Sequence, residues 1–323
     1  MKIYHILFFL SSAILIFVHK NASFFSALGT FLRLWYSFVM KQRIFFLTII
    51  FLSALNLFAS AQISDFTEEK IKDFLTIRIE LKSADDADAL EKIDEIQSKV
   101  FSELAENAVD LEQEKLILES FYFMEKYEHA LDPEKNRDSL RKEMKVLMKK
   151  IFSCIDSRGE KNASKWLYNV CGDVTSYYMT RSIKATFFYG LKVKDMYEKA
   201  VKIDSTLSTA NVSLGNWFFY APRIFGGGKD KAFLCYKAAL EGATTAGEQY
   251  IAYQSLSQLF FELKDMNQCE KNFKKARELK IGTKELDLMQ RCNDAGYSIF
   301  QYRRNRAGID EKIPEAYKDE EDK

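Results

Sequence analysis

From Asp65 onward the apolar residues recur at steps of three and four, the spacing that gathers them on one face of an α-helix. Asp65-Phe66-Thr67-Glu68 reads as a capping box ahead of a first stripe, Ile71, Phe74 and Leu75. Ser83-x-x-Asp86 opens a second helix, with Leu90, Ile93, Val100, Phe101 and Leu104 along one side. A ring-rich third helix covers about Leu111 to Leu131 and is ended or reset by Pro133. The fourth carries Leu140, Met144, Leu147, Ile151 and Ile155 and closes at Arg158-Gly159, where glycine suits a left-handed cap. Further helices are predicted over 162–180, 208–220, 229–240, 247–263, 265–279 and 283–296. No stretch of alternating apolar and polar residues bounded by turn signals stands out, so the expected fold class is all-α.

Within this pattern a shorter one repeats. Leu214-Gly215-x-x-Phe218 is followed by Ala232, Tyr236 and Ala239, and Leu256-Ser257-x-x-Phe260 by Cys269, Phe273 and Ala276. A small residue on one helix and a ring on the next let two helices approach closely. The pattern resembles the tetratricopeptide repeat, a unit of about 34 residues made of two antiparallel helices. The unit from Leu256 fits without a gap. The one at Leu214 needs extra residues between its helices. A preceding unit, with Tyr168, Cys171 and Gly172 and then Val193, Tyr197 and Ala200, carries a long insert between its helices. The resemblance covers Lys161 to Ile281, and a generic helical bundle with alanine seams is the alternative.

The resemblance implies a helical-hairpin repeat solenoid in which the first helix of each unit lines a concave groove that contacts peptides, helices or small ligands. Carried onto this chain, the groove receives Asn169, Asp173 and Tyr177, then Asn216, Phe219 and Tyr220, then Gln254, Gln258 and Phe261. Amides can hydrogen-bond an extended backbone while rings supply apolar contact. The competing expectation is that Phe219 and Phe261 pack against the front helices and close the groove. The chain then divides into an N-terminal helical region over 62–160, repeats with a closing helix over 161–296, and a mobile charged tail over 297–323. The front region would serve as the atypical end unit that repeat arrays need.

Residues 1–61 hold no acid. Met40-Lys41-Gln42-Arg43, the apolar run Ile44 to Phe58 and Ala59-Ser60-Ala61 together read as a signal peptide over 40–61, with Gln62 as the mature N-terminus. Residues 1–39 are then a hydrophobic extension upstream of a start at Met40. The rival reading makes the apolar runs membrane spans, although Tyr4 to Val18 is short and Phe24 to Val39 is interrupted by Gly29 and Arg33. The expected location is periplasmic or secreted, with anchoring by the N-terminal segment as the alternative. Residues 1–61 carry five basic residues, so their removal takes the formal charge from +1 to −4. That balance points to neither nucleic acid nor strong binding of an anionic membrane.

Candidate chemistry is sparse. Cys154, Cys171, Cys235, Cys269 and Cys292 form no close pair of the zinc type, and they read as small buried residues, with a Cys269–Cys292 bridge as the alternative. The oddest segment joins the helices of the middle unit: Trp217, Tyr220, Pro222, Arg223, Phe225, then Gly226-Gly227-Gly228-Lys229. A glycine run opening a helix can offer N–H groups to an anion, with Arg223, Lys229 and Lys231 adding charge. It departs from a P-loop at Arg223 and Asp230. The bland reading is a structural loop that lets Phe225 fold back onto neighbouring rings. His129, in Glu125-Lys126-Tyr127-Glu128-His129, reads as a solvated helix residue, and the carboxylates as solvated salt-bridging groups. These readings converge on an exported, non-enzymatic scaffold that binds a protein or peptide, with no cofactor and no metal. An accessory subunit of envelope transport handling a small ligand is the alternative, and a hydrolase using scattered carboxylates the third.

Overall fold

The computed structural model describes residues 62–130, 137–180 and 182–304, with 308, 309 and 312. The signal, anchor and start-site expectations for residues 1–61 and the acidic end of the tail lie outside the described residues. Ser60–Lys323 forms one compact unit. Among the described residues it is all helix, without strands. The front region comprises α1 (Asp65–Leu81), α2 (Asp86–Asn107), α3 (Leu111–His129) and α4 (Arg137–Arg158). Behind it come α5 (Lys165–Met179), α6 (Ile183–Ile203), α7 (Ser208–Tyr220), α8 (Lys229–Gly242), α9 (Ala246–Glu262) and α10 (Met266–Glu278). These are followed by α11 (Thr283–Asp294) and α12 (Ile299–Arg304). No described helix is long and apolar enough to cross a membrane.

Several starts are set by side-chain caps. Ser64, one residue ahead of the predicted box, caps α1 by accepting from Thr67 N, and Asp85 caps α2. Thr245 and Glu248 form a reciprocal capping box on α9. Glu114 ties α1 to α3: its carboxylate accepts from Val109 N (2.8 Å), Asp110 N (2.9 Å) and the hydroxyls of Ser64 and Thr67. Burial would raise this carboxyl, but those hydrogen bonds hold it below the usual range.

Three successive helix pairs, α5/α6, α7/α8 and α9/α10, form the rear of the molecule. Gly172 of α5 lies under the ring of Tyr197 of α6, and a Cβ there would stand 2.3 Å from it. Gly215 of α7 lies under Tyr236 of α8 in the same way, at 2.5 Å. In the third pair a hydroxyl takes the small position: Ser257 Oγ donates to Cys269 O at 2.9 Å. Contacts run in opposite chain directions, Gly215 with Tyr236 and Phe218 with Gly228, so the pairs are antiparallel hairpins. The long insert expected between α5 and α6 is helical instead. Only residues 180–182 separate the two, and the extra residues lengthen α6 to 21 residues.

The five cysteines are free thiols, all buried but Cys235, which is partly so. Residues from 297 do not all form a mobile tail. Ser298, Ile299, Phe300, Tyr302 and Ile309 are buried, packed into the cluster that holds Tyr236, Tyr250 and Met289.

Candidate functional site: the inner face of the helix pairs

Helices α3, α5, α7 and α9 pack side by side in that order, so one face of each contributes to a common inner surface. Two segments of the same chain cover it. The first is α1. Thr76 Oγ1 accepts from Gly247 N (3.2 Å), at the start of α9, and any Cβ on Gly247 would strike Leu75 O. Arg78 Nε donates to Glu125 Oε2 of α3 at 2.9 Å, and Ile79 lies against Gly282 and Tyr250. The second is the segment around α12. Ile299 N donates to Gln258 Oε1 (2.6 Å), Ser298 Oγ donates to Glu262 Oε1 (2.6 Å), and the Phe300 ring lies 4.5 Å from that of Phe219.

Each residue predicted for the groove has a definite place. Asn169 is fully buried and donates to Asp173 Oδ2 (2.5 Å). Asp173 also accepts from Tyr197 OH (2.9 Å) and Ser213 Oγ (2.8 Å). Burial pushes the Asp173 carboxyl up to about 6 against the pull of Ser213, Tyr197, Arg78 and Asn169. Tyr177 meets Tyr127 edge-on at 5.7 Å, and burial raises its phenol well above the usual value. Asn216 turns to its own pair, accepting from Tyr236 OH at 2.7 Å. Tyr220 stands 5.8 Å from Phe300 and remains partly exposed. Gln254, Gln258 and Phe261 are buried. Phe219 and Phe261 thus belong to a closed surface, but over Phe219 the cover is the C-terminal segment, where the sequence suggested the front helices.

The glycine loop offers no anion cradle. Gly226 N, Gly227 N and Gly228 N donate to Arg223 O, Pro222 O and Phe218 O, so all three amides are engaged. Gly226 sits at φ 91°, and a Cβ on Gly227 would fall 1.8 Å from Ala221 O, which is why both positions are glycine. Lys229 Nζ is held by Glu262 O (3.1 Å) and Glu262 Oε2 (3.2 Å), and Lys231 Nζ by Gly226 O (2.9 Å). Trp217 Nε1 donates to Gly190 O of α6 at 2.8 Å. Arg223 and Phe225 are exposed, so Phe225 does not fold back onto its neighbours as the sequence suggested.

His129 is a second correction. Its side chain is only 7% exposed, with Nδ1 2.9 Å from Asp86 Oδ1 and Nε2 3.6 Å from Glu125 Oε1. The nearby Glu125 carboxylate, ahead of a countering burial effect, raises its pKa, and Asp86 adds to the rise. Glu125 is itself fully buried, so Glu114 and Glu125 depart from the expectation of solvated carboxylates. Arg78, Glu125, His129 and Asp86 make a charge chain, buried at Glu125 and open to solvent at Asp86, that links α1, α2 and α3. Among the described residues no group of three or more His, Cys, Asp or Glu is placed to hold a metal ion.

Sequence reasoning missed Glu262, Ser298, Ile299 and Phe300. Glu262 falls one helical turn beyond Gln258, which was a usable signal; nothing in the short run 297–302 marked it as a cover. No protein-family model matches this chain, and no curated protein matches it. Fold and site define an all-helical protein whose inner face is closed by two segments of its own chain.

Proposed function

We propose that this chain is an exported, non-enzymatic scaffold of tetratricopeptide-like helix pairs that binds a protein or peptide on its inner face. The site is the α7–α9 end, in the place that Ser298 to Tyr302 takes in the free chain. The glycine–tyrosine packing repeated in α5/α6 and α7/α8 supports the repeat reading. One observation carries the binding reading: Gln258 takes a backbone N–H of the segment while Phe219 takes its next ring. That combination of main-chain capture and a ring contact is how grooves recognise short peptides.

The test is recognition in trans. A chain ending at Gly296 is mixed with a synthetic peptide of residues 297–304, and binding is followed by fluorescence anisotropy. The expected result is saturable binding that Gln258→Ala weakens by about tenfold, the loss of one well-formed hydrogen bond in a buried site. A truncated chain that keeps its helical circular dichroism but binds no peptide would refute the reading.

A further inference from the structure

The second hairpin turn is flanked by the first half of α6 on one side and by the third turn on the other. Trp217 Nε1 bonds Gly190 O, tying α7 to α6, and Lys229 Nζ bonds Glu262 O, tying the second turn to the third. Each turn carries large apolar side chains in solvent: Phe187 and Leu191 on the first, Ile224 and Phe225 on the second, Leu263 and Met266 on the third. Phe187 is 82% exposed and Ile224 86%.

The outward stripe of α6 shows that this is local. It begins Ile183, Phe187, Leu191 and continues Asp195, Glu198, Lys202, all exposed. The second half is an ordinary solvated helix face; the first is apolar over two turns. This apolar half lies toward the turn, where the insert lengthened the helix. A monomer in water gains nothing from such a surface, and contiguous apolar patches of this kind mark interaction sites.

Charge indicates the occupant. From Val174 to Lys194 there is no acidic residue, but there are Arg181, Lys184, Lys192 and Lys194. From Ser205 to Lys229 there is again no acid, only Arg223 and Lys229. Lys229 is paired with Glu262, so the positive field is strongest at the first turn, where it is set against a chain that from Gln62 is net negative. Rings and aliphatic side chains standing beside lysines fit the headgroup boundary of an anionic bilayer: the rings enter the acyl edge and the amines meet phosphate. We infer that the hairpin-turn edge of α5/α6 and α7/α8, extended by the α9/α10 turn, docks on an anionic lipid surface, lying on the membrane without spanning it.

Ser60–Lys323 is one compact unit with its own buried clusters, so residues 62–323 are tested without the apolar N-terminal sequence. They are mixed with vesicles of phosphatidylethanolamine and phosphatidylglycerol, or of phosphatidylcholine alone, and sedimented. Binding to the anionic vesicles is expected to exceed that to phosphatidylcholine. It should fall by about tenfold or more in Phe187→Asp with Leu191→Asp. Wild-type binding should fall as salt rises, and Lys184→Glu with Lys192→Glu should weaken it most at low ionic strength and flatten that salt dependence. All four positions are exposed, and unchanged thermal melting verifies that the variants fold. Absence of binding to anionic vesicles, or equal binding by the Asp variant, overturns the inference. So does a wild-type dimer in sedimentation equilibrium that the Asp variant abolishes while vesicles are ignored, which would assign the edge to a second copy.

Discussion

The inner face and the hairpin-turn edge are built from the same helices yet treat their rings oppositely. On the inner face Phe219 is covered by the Phe300 ring and the start of α9 by α1, both from distant parts of the chain. On the edge Phe187, Leu191 and Ile224 are left in water. The difference follows from connectivity. The 298–302 segment meets the ends of α7 and α9 at Tyr220 and Glu262 and folds inward over Phe219 and Gln258, which leaves the outward side chains of the adjoining turns in solvent. Packed helix pairs expose several apolar surfaces, and which one is sealed depends on which other segments of the chain reach it.

Substitutions can sharpen or break that contrast. The largest effect is expected at the seal: Phe300→Ala should cost about 3 kcal/mol in urea unfolding, because the ring is buried against Phe219 and Tyr220. A cost no greater than that of Phe187→Ala would erase the distinction between the two regions. Next is Gly227→Ala, whose Cβ must displace the Ala221 carbonyl; a loss of about 2 kcal/mol is expected, read from the thermal midpoint.

Two pH tests probe the covered side. Asp173 is raised from 3.8 to about 6 by burial. Its contribution is therefore present below its unfolded pKa and lost as pH rises through about 6. Asp173→Asn should gain stability relative to wild type between pH 4 and 6, and a pH-independent difference would contradict the buried environment. His129 has a raised pKa from Glu125 and Asp86. Its stabilisation is full below about 6.5 and declines as pH passes the raised value. His129→Gln should remove that decline, an effect of about 1 kcal/mol in paired denaturation curves at pH 6 and 9. The smallest effect belongs to the edge: Phe187→Ala should change stability by less than about 0.5 kcal/mol, as expected for an exposed side chain.

Much of the local structure was legible. Glycine and tyrosine at matching places in two helix pairs report a close approach, and Gly172–Tyr197 and Gly215–Tyr236 make it. Buried, unpaired cysteines followed from their apolar neighbours and wide spacing. Other features were legible only in part. Glu125 stands one turn before His129, so their pairing was readable, but Asp86 comes from another helix and lies 43 residues away. Phe225 read as a folded-back ring because rings cluster around it in sequence; the engaged glycine amides turn it outward. The run Ser298 to Tyr302 is too short to show a periodic stripe and is followed by arginines, so it looked like a tail.

By itself the sequence determined most of the helices and the small-residue and ring contacts within two pairs, because each depends on residues within one or two turns of each other or on adjacent helices. Only the tertiary structure decided that α1 and the Phe300 segment cover the inner face while the hairpin-turn edge stays open. A stripe of apolar residues states that a face must be buried, but not against what. The partner is chosen by long-range packing, where many segments of similar hydrophobicity compete and geometry selects among them.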